Sequence, residues 1–214
     1  MTPKAVLFDC DGVIVDSEGM TLIMLQADLA NHGLLLTLHD LETDFIGGTI
    51  ESVAELAIAA GADLPDGWAN AFYQKLYAML AVNTPLMPGV LEVLDALDAA
   101  GIPYAVGSNG TPEKMQITLG QHGLIPRFQD HIYSGQALGR PKPAPDLYLH
   151  AAAALNVAPN DCVVIEDSVA GALAAQAAGI RCYGYAPLGP HPRLAATGAI
   201  LFTDMADLPN LLGL

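Results

Sequence analysis

Six short apolar runs rich in branched or aromatic residues punctuate the chain, at residues 4–8, 103–107, 131–134, 161–165, 181–185 and 199–202. Most are followed by Gly, Asp, Asn or Ser, and they read as buried strands. Helix-like stretches at about 88–100, 112–122, 144–155 and 168–178 lie between them; Thr111-Pro112 and Ser168 open two of these, and Gly179 closes one. This alternation implies right-handed βαβ units, hence an α/β fold with a parallel sheet and helices on both faces. Residues 17–83 break the alternation. Met, Leu and Ala recur there at helical spacing, with turn signals at Gly33, Gly47-Gly48 and Gly61 to Gly67 and no convincing strand. A helical insertion after the first strand is the simplest account, with Thr84-Pro85 returning the chain to the sheet.

Composition narrows the function classes. Apolar residues make up 52% of the 214, yet no run of about 18 lacks a polar interruption, so no membrane span is expected. The N-terminal MTPKAVLFDCDG does not resemble a cleaved secretory signal, which points to the cytoplasm. The three cysteines, Cys10, Cys162 and Cys182, lack paired spacing; they suit a reducing compartment and argue against zinc. Cys10 and Cys162 read as small buried apolar residues. With 23 acids against eight lysines and arginines the formal charge is −15, so neither nucleic acid nor an anionic membrane is an expected partner. Each cation is correspondingly informative, and between residues 16 and 83 the sole Lys or Arg is Lys75.

The first strand ends abruptly in acids, AVLFDCDGVIVDSE over residues 5–18. Residues two apart on a strand share a side, so Asp9 and Asp11 can act together where the strand runs out. Parallel sheets bind ligands at that carboxyl edge. Alone, the pair is compatible with a solvated acidic turn. A calcium loop fails on spacing, because Val13 and Met20 fall where oxygen ligands are required. Other strand ends carry unlike polar groups: Ser108 and Asn109 in YAVGSNG, Glu166 and Asp167 in CVVIEDS, and Lys142 in GRPKPAPD, between Pro141 and Pro143. Each has an ordinary structural explanation, but together they converge on one edge of one sheet.

Phosphoryl transfer fits that set. A carboxylate that approaches an anionic phosphate needs a metal and a cation to neutralise the non-bridging oxygens. Magnesium suits an all-oxygen site, with Asp9, Asp167 and Glu166 as carboxylates and one backbone carbonyl. Lys142 supplies fixed positive charge, while the Ser108 hydroxyl and nearby backbone N–H groups hold a phosphate oxygen. Asp11 is then the acid and base, which requires it to be protonated when substrate arrives, while Asp9 stays ionised.

FDCDGVIVDSE, VGSNGTPEKMQ, RPKPAPD and VIEDSVAGALAAQAAG, in that order over residues 5–179, resemble the four motifs of the haloacid dehalogenase superfamily. The subgroup most similar is that of small sugar-phosphate phosphatases and β-phosphoglucomutases. The resemblance implies a Rossmann-like core (1–15 and 84–214) with an inserted helical cap domain (16–83). It also implies that Asp9 forms an aspartyl-phosphate, that Asp11 is the acid/base, and that Ser108 and Lys142 bind phosphate. Magnesium would be held by Asp9, the Asp11 carbonyl and Asp167, with Glu166 assisting.

Asp11 argues against the true dehalogenases, whose first motif lacks the second acid. The phosphonate hydrolases use a cap lysine near the first motif, and Lys75 lies far from it. The mutase branch grips a second phosphate through a cap arginine in a loop resembling Gly-Val-x-Arg. The matching stretch here is FIGGTIES, residues 45–52, with Gly48 and Thr49 where a cation is wanted. Hydrolysis of a sugar or sugar-acid monophosphate is therefore expected, with Gly47 and Gly48 touching the leaving group as the cap closes. A phosphosugar mutase is the alternative enzyme. A phosphorylation-receiver-like domain is the non-enzymatic alternative, but such domains are shorter and lack the insertion. His32, His39, His122 and His131 have no motif context and read as surface or helix-end residues.

Overall fold

A computed structural model describes residues 2–44 and 49–214. Strand β1 (Ala5–Phe8) is followed by four helices, α1 (Glu18–Asn31), α2 (Leu38–Asp44), α3 (Ile50–Ala59) and α4 (Trp68–Val82). The chain then runs α5 (Val90–Ala100), β2 (Tyr104–Ser108), α6 (Pro112–Gly120), β3 (Ile132–Ser134) and α7 (Asp146–Ala154). It ends with β4 (Cys162–Glu166), α8 (Val169–Ala177), β5 (Arg181–Tyr185), α9 (Pro192–Ala195), β6 (Ile200–Phe202) and α10 (Leu208–Leu212).

All six strands pair in parallel, in the order β3-β2-β1-β4-β5-β6. The apolar runs form strands because both faces of the sheet are covered. Val6, Phe8, Val106, Val163, Ile165 and Tyr183 point to one side, where they meet the stripe Val90, Val93, Leu94 and Leu97 of α5, with Met115 and Leu119 of α6. The alternate residues Ala5, Leu7, Ala105, Val164 and Cys182 meet Tyr148 and the alanines of α7 and α8. Cys10 and Cys162 are buried among apolar neighbours, as the sequence suggests. The expected helix over 112–122 stops at Gly120, and the chain turns at Gly123, whose φ is +65°.

Helices α1 to α4 bury a separate apolar cluster built on Leu25, Leu29, Trp68, Phe72, Leu76 and Leu80. Trp68 stacks on Phe72 and donates its indole N–H to Asp28 at 2.7 Å. Lys75 pairs with the other oxygen of Asp28 at 2.6 Å. Among the described residues, no helix is long and apolar enough to cross a membrane, and none between 17 and 83 forms a strand of the sheet.

The register sets the ends of the central strands level. Phe8 lies between Val106 and Ile165, and the Asp9 N–H continues the ladder by donating to the Ile165 carbonyl at 2.9 Å. The residues that follow β1, β2 and β4 therefore emerge at one edge, where the order reverses about β1.

Candidate active site

A cavity of about 140 Å³ opens at this edge. Asp9, Asp11, Ser108, Asn109, Lys114, Lys142 and Asp167 line its floor, and helices α1, α3 and α4 form the opposite wall with Leu22, Leu25, Ile50, Val53 and Leu76. The structure thus brings Asp9, Asp11, Ser108, Asn109, Lys142 and Asp167 together, from four separate stretches of chain. Gly47 and Gly48 lie outside the described residues.

Lys142 is the hub of the floor. Its ammonium group donates to Asp9 Oδ1 and, at 2.6 Å, to Glu166 Oε1, with the Tyr148 ring centroid 4.9 Å away. Burial lowers the affinity of this lysine for its proton, but Asp9 and Glu166 outweigh that and hold it above the usual lysine range. Asn109 fixes the loop that carries it: its Oδ1 accepts the Lys142 N–H at 2.8 Å and its Nδ2 donates to the Lys142 carbonyl at 3.2 Å. The Asn109 side chain, expected at the phosphate, is engaged with this loop.

Glu166 is fully buried and its oxygens are committed. Oε1 accepts from Lys142 and from the Tyr148 hydroxyl at 2.8 Å. Oε2 accepts from the Asp167 N–H, the Ser168 N–H and the Ser168 hydroxyl at 2.9–3.1 Å. This tuck depends on Gly171, where a Cβ would stand 1.6 Å from Glu166 Oε1. Glu166 reaches the same cluster as Asp9 and Asp167, with one oxygen of each within 4.8 Å of the others. Its hydrogen bonds make it foremost the anchor of Lys142 and of the turn into α8.

Asp9 and Asp167 are in a different state. Burial raises the pKa of Asp9; Lys142 pulls it back, Glu166 and Asp11 push it up again, and it lies at about 8. Burial and then Glu18 drive Asp167 well above the carboxylate range, and Glu18 itself is pushed to about 7 by burial and Asp11. Buried carboxylates crowded with less positive charge than they need are the surroundings a divalent cation relieves. The donor set is all oxygen, which fits a hard cation such as magnesium. Gly12 makes the crowding possible: its φ is +75°, and a Cβ there would lie 1.9 Å from Asp167 Oδ2.

Asp11 departs from expectation. Its Oδ1 accepts from the Ser17 hydroxyl at 2.5 Å and pairs with Lys114 Nζ at 2.7 Å, while Oδ2 accepts from Ser108 at 3.3 Å. Burial would raise its pKa, but the charge and hydrogen bond of Lys114 prevail and lower it. These contacts hold the Asp11 carboxyl below the usual carboxylate range before substrate binds, whereas the sequence reading requires it protonated when substrate arrives. The reason is Lys114, a residue the sequence reading missed. Thr111 caps α6 by accepting the Lys114 N–H at 3.1 Å, which fixes Lys114 in the first turn, beside the end of β2. A signal existed in the scarcity of cations, since Lys114 lies only six residues after Ser108. Tyr148 and Ser17 were missed as well; Tyr148 reads from the sequence as an ordinary core residue of α7.

A model of the family "haloacid dehalogenase-like hydrolase" matches residues 3–179, and the chain belongs to that family. It is 31% identical over 211 residues to a 6-phosphogluconate phosphatase of Escherichia coli K12, covering 97% of this chain and 94% of that protein. A phosphoglycolate phosphatase of Xylella fastidiosa is 32% identical over 179 residues, covering 83% and 78%. Among solved structures, a HAD family hydrolase from Deinococcus radiodurans R1, with bound phosphate and sodium, is 38% identical with a TM-score of 0.79, covering 99% of this chain and 96% of that one. The Rossmann-like sheet with its helical insertion is the fold of these hydrolases.

Proposed function

We propose that the protein is a magnesium-dependent phosphomonoester hydrolase acting on a small phosphorylated metabolite, a sugar or sugar-acid phosphate, through phosphorylated Asp9. The observation that carries this reading is the buried meeting of Asp9, Lys142 and Asp167 at the carboxyl edge. The relatives named above support the substrate class. Residues 16–83 are taken as the cap that covers a core of residues 1–15 and 84–214. The free cysteines suit the cytoplasm.

Asp9 and Asp167, with the Asp11 carbonyl, would hold the magnesium, and the ion supplies charge neutralisation of the phosphoryl oxygens and of the carboxylates. Lys142 shares that task, fixed by Glu166 and Asn109, and Ser108 holds a phosphoryl oxygen. In the first half-reaction an Asp9 oxygen bonds to phosphorus, the ester P–O bond breaks, and the leaving oxygen takes a proton from Asp11. Because Lys114 favours the ionised form, Asp11 must first gain that proton, and a monoanionic phosphomonoester, with its second pKa near about 6, is a nearby source. In the second half-reaction Asp11 takes a proton from water, the water oxygen attacks phosphorus, and the Asp9–phosphate bond breaks to give inorganic phosphate.

The hydrolase reading is preferred to the mutase reading because the described cap residues bring no cation to the cavity. Lys75 is 57% exposed and paired with Asp28. The test is phosphate release from p-nitrophenyl phosphate and a panel of sugar and sugar-acid phosphates. Repeated turnover, abolished by EDTA and restored by Mg²⁺, is the expected result. Failure of every ester, or turnover indifferent to EDTA, overturns the reading. Formation of glucose 6-phosphate from β-glucose 1-phosphate with a trace of bisphosphate would favour the mutase.

A further inference from the structure

The cavity floor carries two lysines, and they are engaged differently. Lys142 is shared between Asp9 and Glu166 and its peptide is clasped by Asn109. Lys114 is 13% exposed, lines the cavity, and has Asp11 as its carboxylate partner. An ammonium group has three N–H donors, so one such contact leaves capacity for a second anion.

Among the described residues the opposite wall brings no cation to meet that anion; Glu18 of α1 also lines the cavity, and the Tyr73 hydroxyl lies within hydrogen-bond distance of Glu51 and Gln136. The wall's described residues include Leu22, Leu25, Ile50, Val53 and Leu76. Its hydroxyls are partly spent: Thr21 donates to the Ser17 carbonyl, and Thr49 accepts from the Ser52 N–H. Lys75, the one Lys or Arg of that region, is tied to Asp28. A negative charge on the leaving group must be met within the enclosed space or stay unpaired, and an unpaired buried charge is costly.

We propose that Lys114 is the specificity-determining residue of this site, receiving a carboxylate on the leaving group, so that phosphate esters of short hydroxy acids are preferred over their neutral counterparts. This rests on the phosphomonoesterase reading and deepens it. The carbon chain lies against the leucines and Val53, and a second phosphate is disfavoured because its two charges would face one ammonium already shared with Asp11.

Matched ester pairs that differ only by a carboxylate in place of CH₂OH test this: 2-phosphoglycolate against 2-hydroxyethyl phosphate, and 6-phosphogluconate against glucitol 6-phosphate. We expect kcat/KM to favour the acid by about tenfold or more in at least one pair, as for loss of a charge-assisted contact. Lys114→Gln should remove the preference, chiefly by raising KM for the acid, and Lys114→Arg should keep much of it. Should Lys114→Gln fail to fold, competition in the wild type between free glycolate and ethylene glycol reads the same contact, with glycolate the stronger inhibitor. Preference for the neutral ester in both pairs overturns the proposal, as does a preference undiminished in Lys114→Gln. An equal loss on both members of a pair places the role of Lys114 at Asp11 or the phosphoryl group, not at the leaving-group carboxylate, and also overturns it. If no ester, p-nitrophenyl phosphate included, is hydrolysed, the phosphatase reading fails and this one falls with it.

Discussion

The two sides of the cavity are built on opposite principles. The floor, at the strand ends, packs carboxylates and ammonium groups into a buried space in which Lys142, Glu166 and Asp11 are each held by two or more partners. The wall, on the helical insertion, is largely aliphatic and keeps its one cation turned away on Asp28. Charges in a dry site act strongly on one another, so chemistry belongs to the floor, where small displacements are expensive. Aliphatic contacts are weak individually and tolerant of shape, so the wall can vary its choice of leaving group without disturbing the reaction.

Variants on each side separate the two. Asp9→Asn should have the largest effect, lowering phosphate release by about three orders of magnitude or more, while circular dichroism and Tm show an intact fold. Activity within about tenfold of wild type would remove Asp9 from the role of nucleophile. On the wall, Leu76→Ala deletes a side chain that is 2% exposed. It should cost about 2–4 kcal/mol of stability yet lower kcat on p-nitrophenyl phosphate by less than about tenfold. A collapse of kcat with no change in Tm would make the wall part of the chemistry.

The smallest effect concerns the crowded floor acids. The folded state holds the Asp9 proton up to about pH 8, whereas an unfolded chain releases it near the ordinary value of 3.8. The folded state thus binds the extra proton between these values. Its contribution to stability is complete below about pH 4 and is lost as pH rises toward 8. In EDTA, Tm should fall by a few degrees, roughly, between about pH 5 and 8, and Mg²⁺ should flatten that slope by favouring the ionised carboxylates. A Tm that rises with pH in EDTA would show that Lys142 alone already balances the site.

Much of this organisation is legible in the sequence, for reasons that differ by element. Strands buried on both faces leave uninterrupted apolar runs, so β1, β2, β4 and β5 announce themselves, and the polar residues that end them mark the reactive edge. Asp9, Asp11, Ser108, Lys142 and Asp167 stood out because each lies within three residues of the end of such a run or sits in a proline-bounded loop. Lys114 was not, because its relevance depends on which way the first turn of α6 faces, and helical position alone does not say that Asp11 lies within 2.7 Å. Tyr148 was hidden for a related reason: its ring belongs to the core pattern of α7, and its hydroxyl matters only through Glu166, eighteen residues on and across the sheet edge. Protonation was the least legible property, since the state of Asp11 follows from three donors contributed by three segments.

The two-way amide clasp between Asn109 and the Lys142 peptide has a kinetic consequence. It splints the loop after β3 to the end of β2, so the loop can swing outward only by giving up both bonds at once. In the proposed reaction an incoming phosphate would meet a lysine whose backbone is already pinned by Asn109. On that reading little of the reorganisation that slows a flexible receptor would be left for the moment of attack.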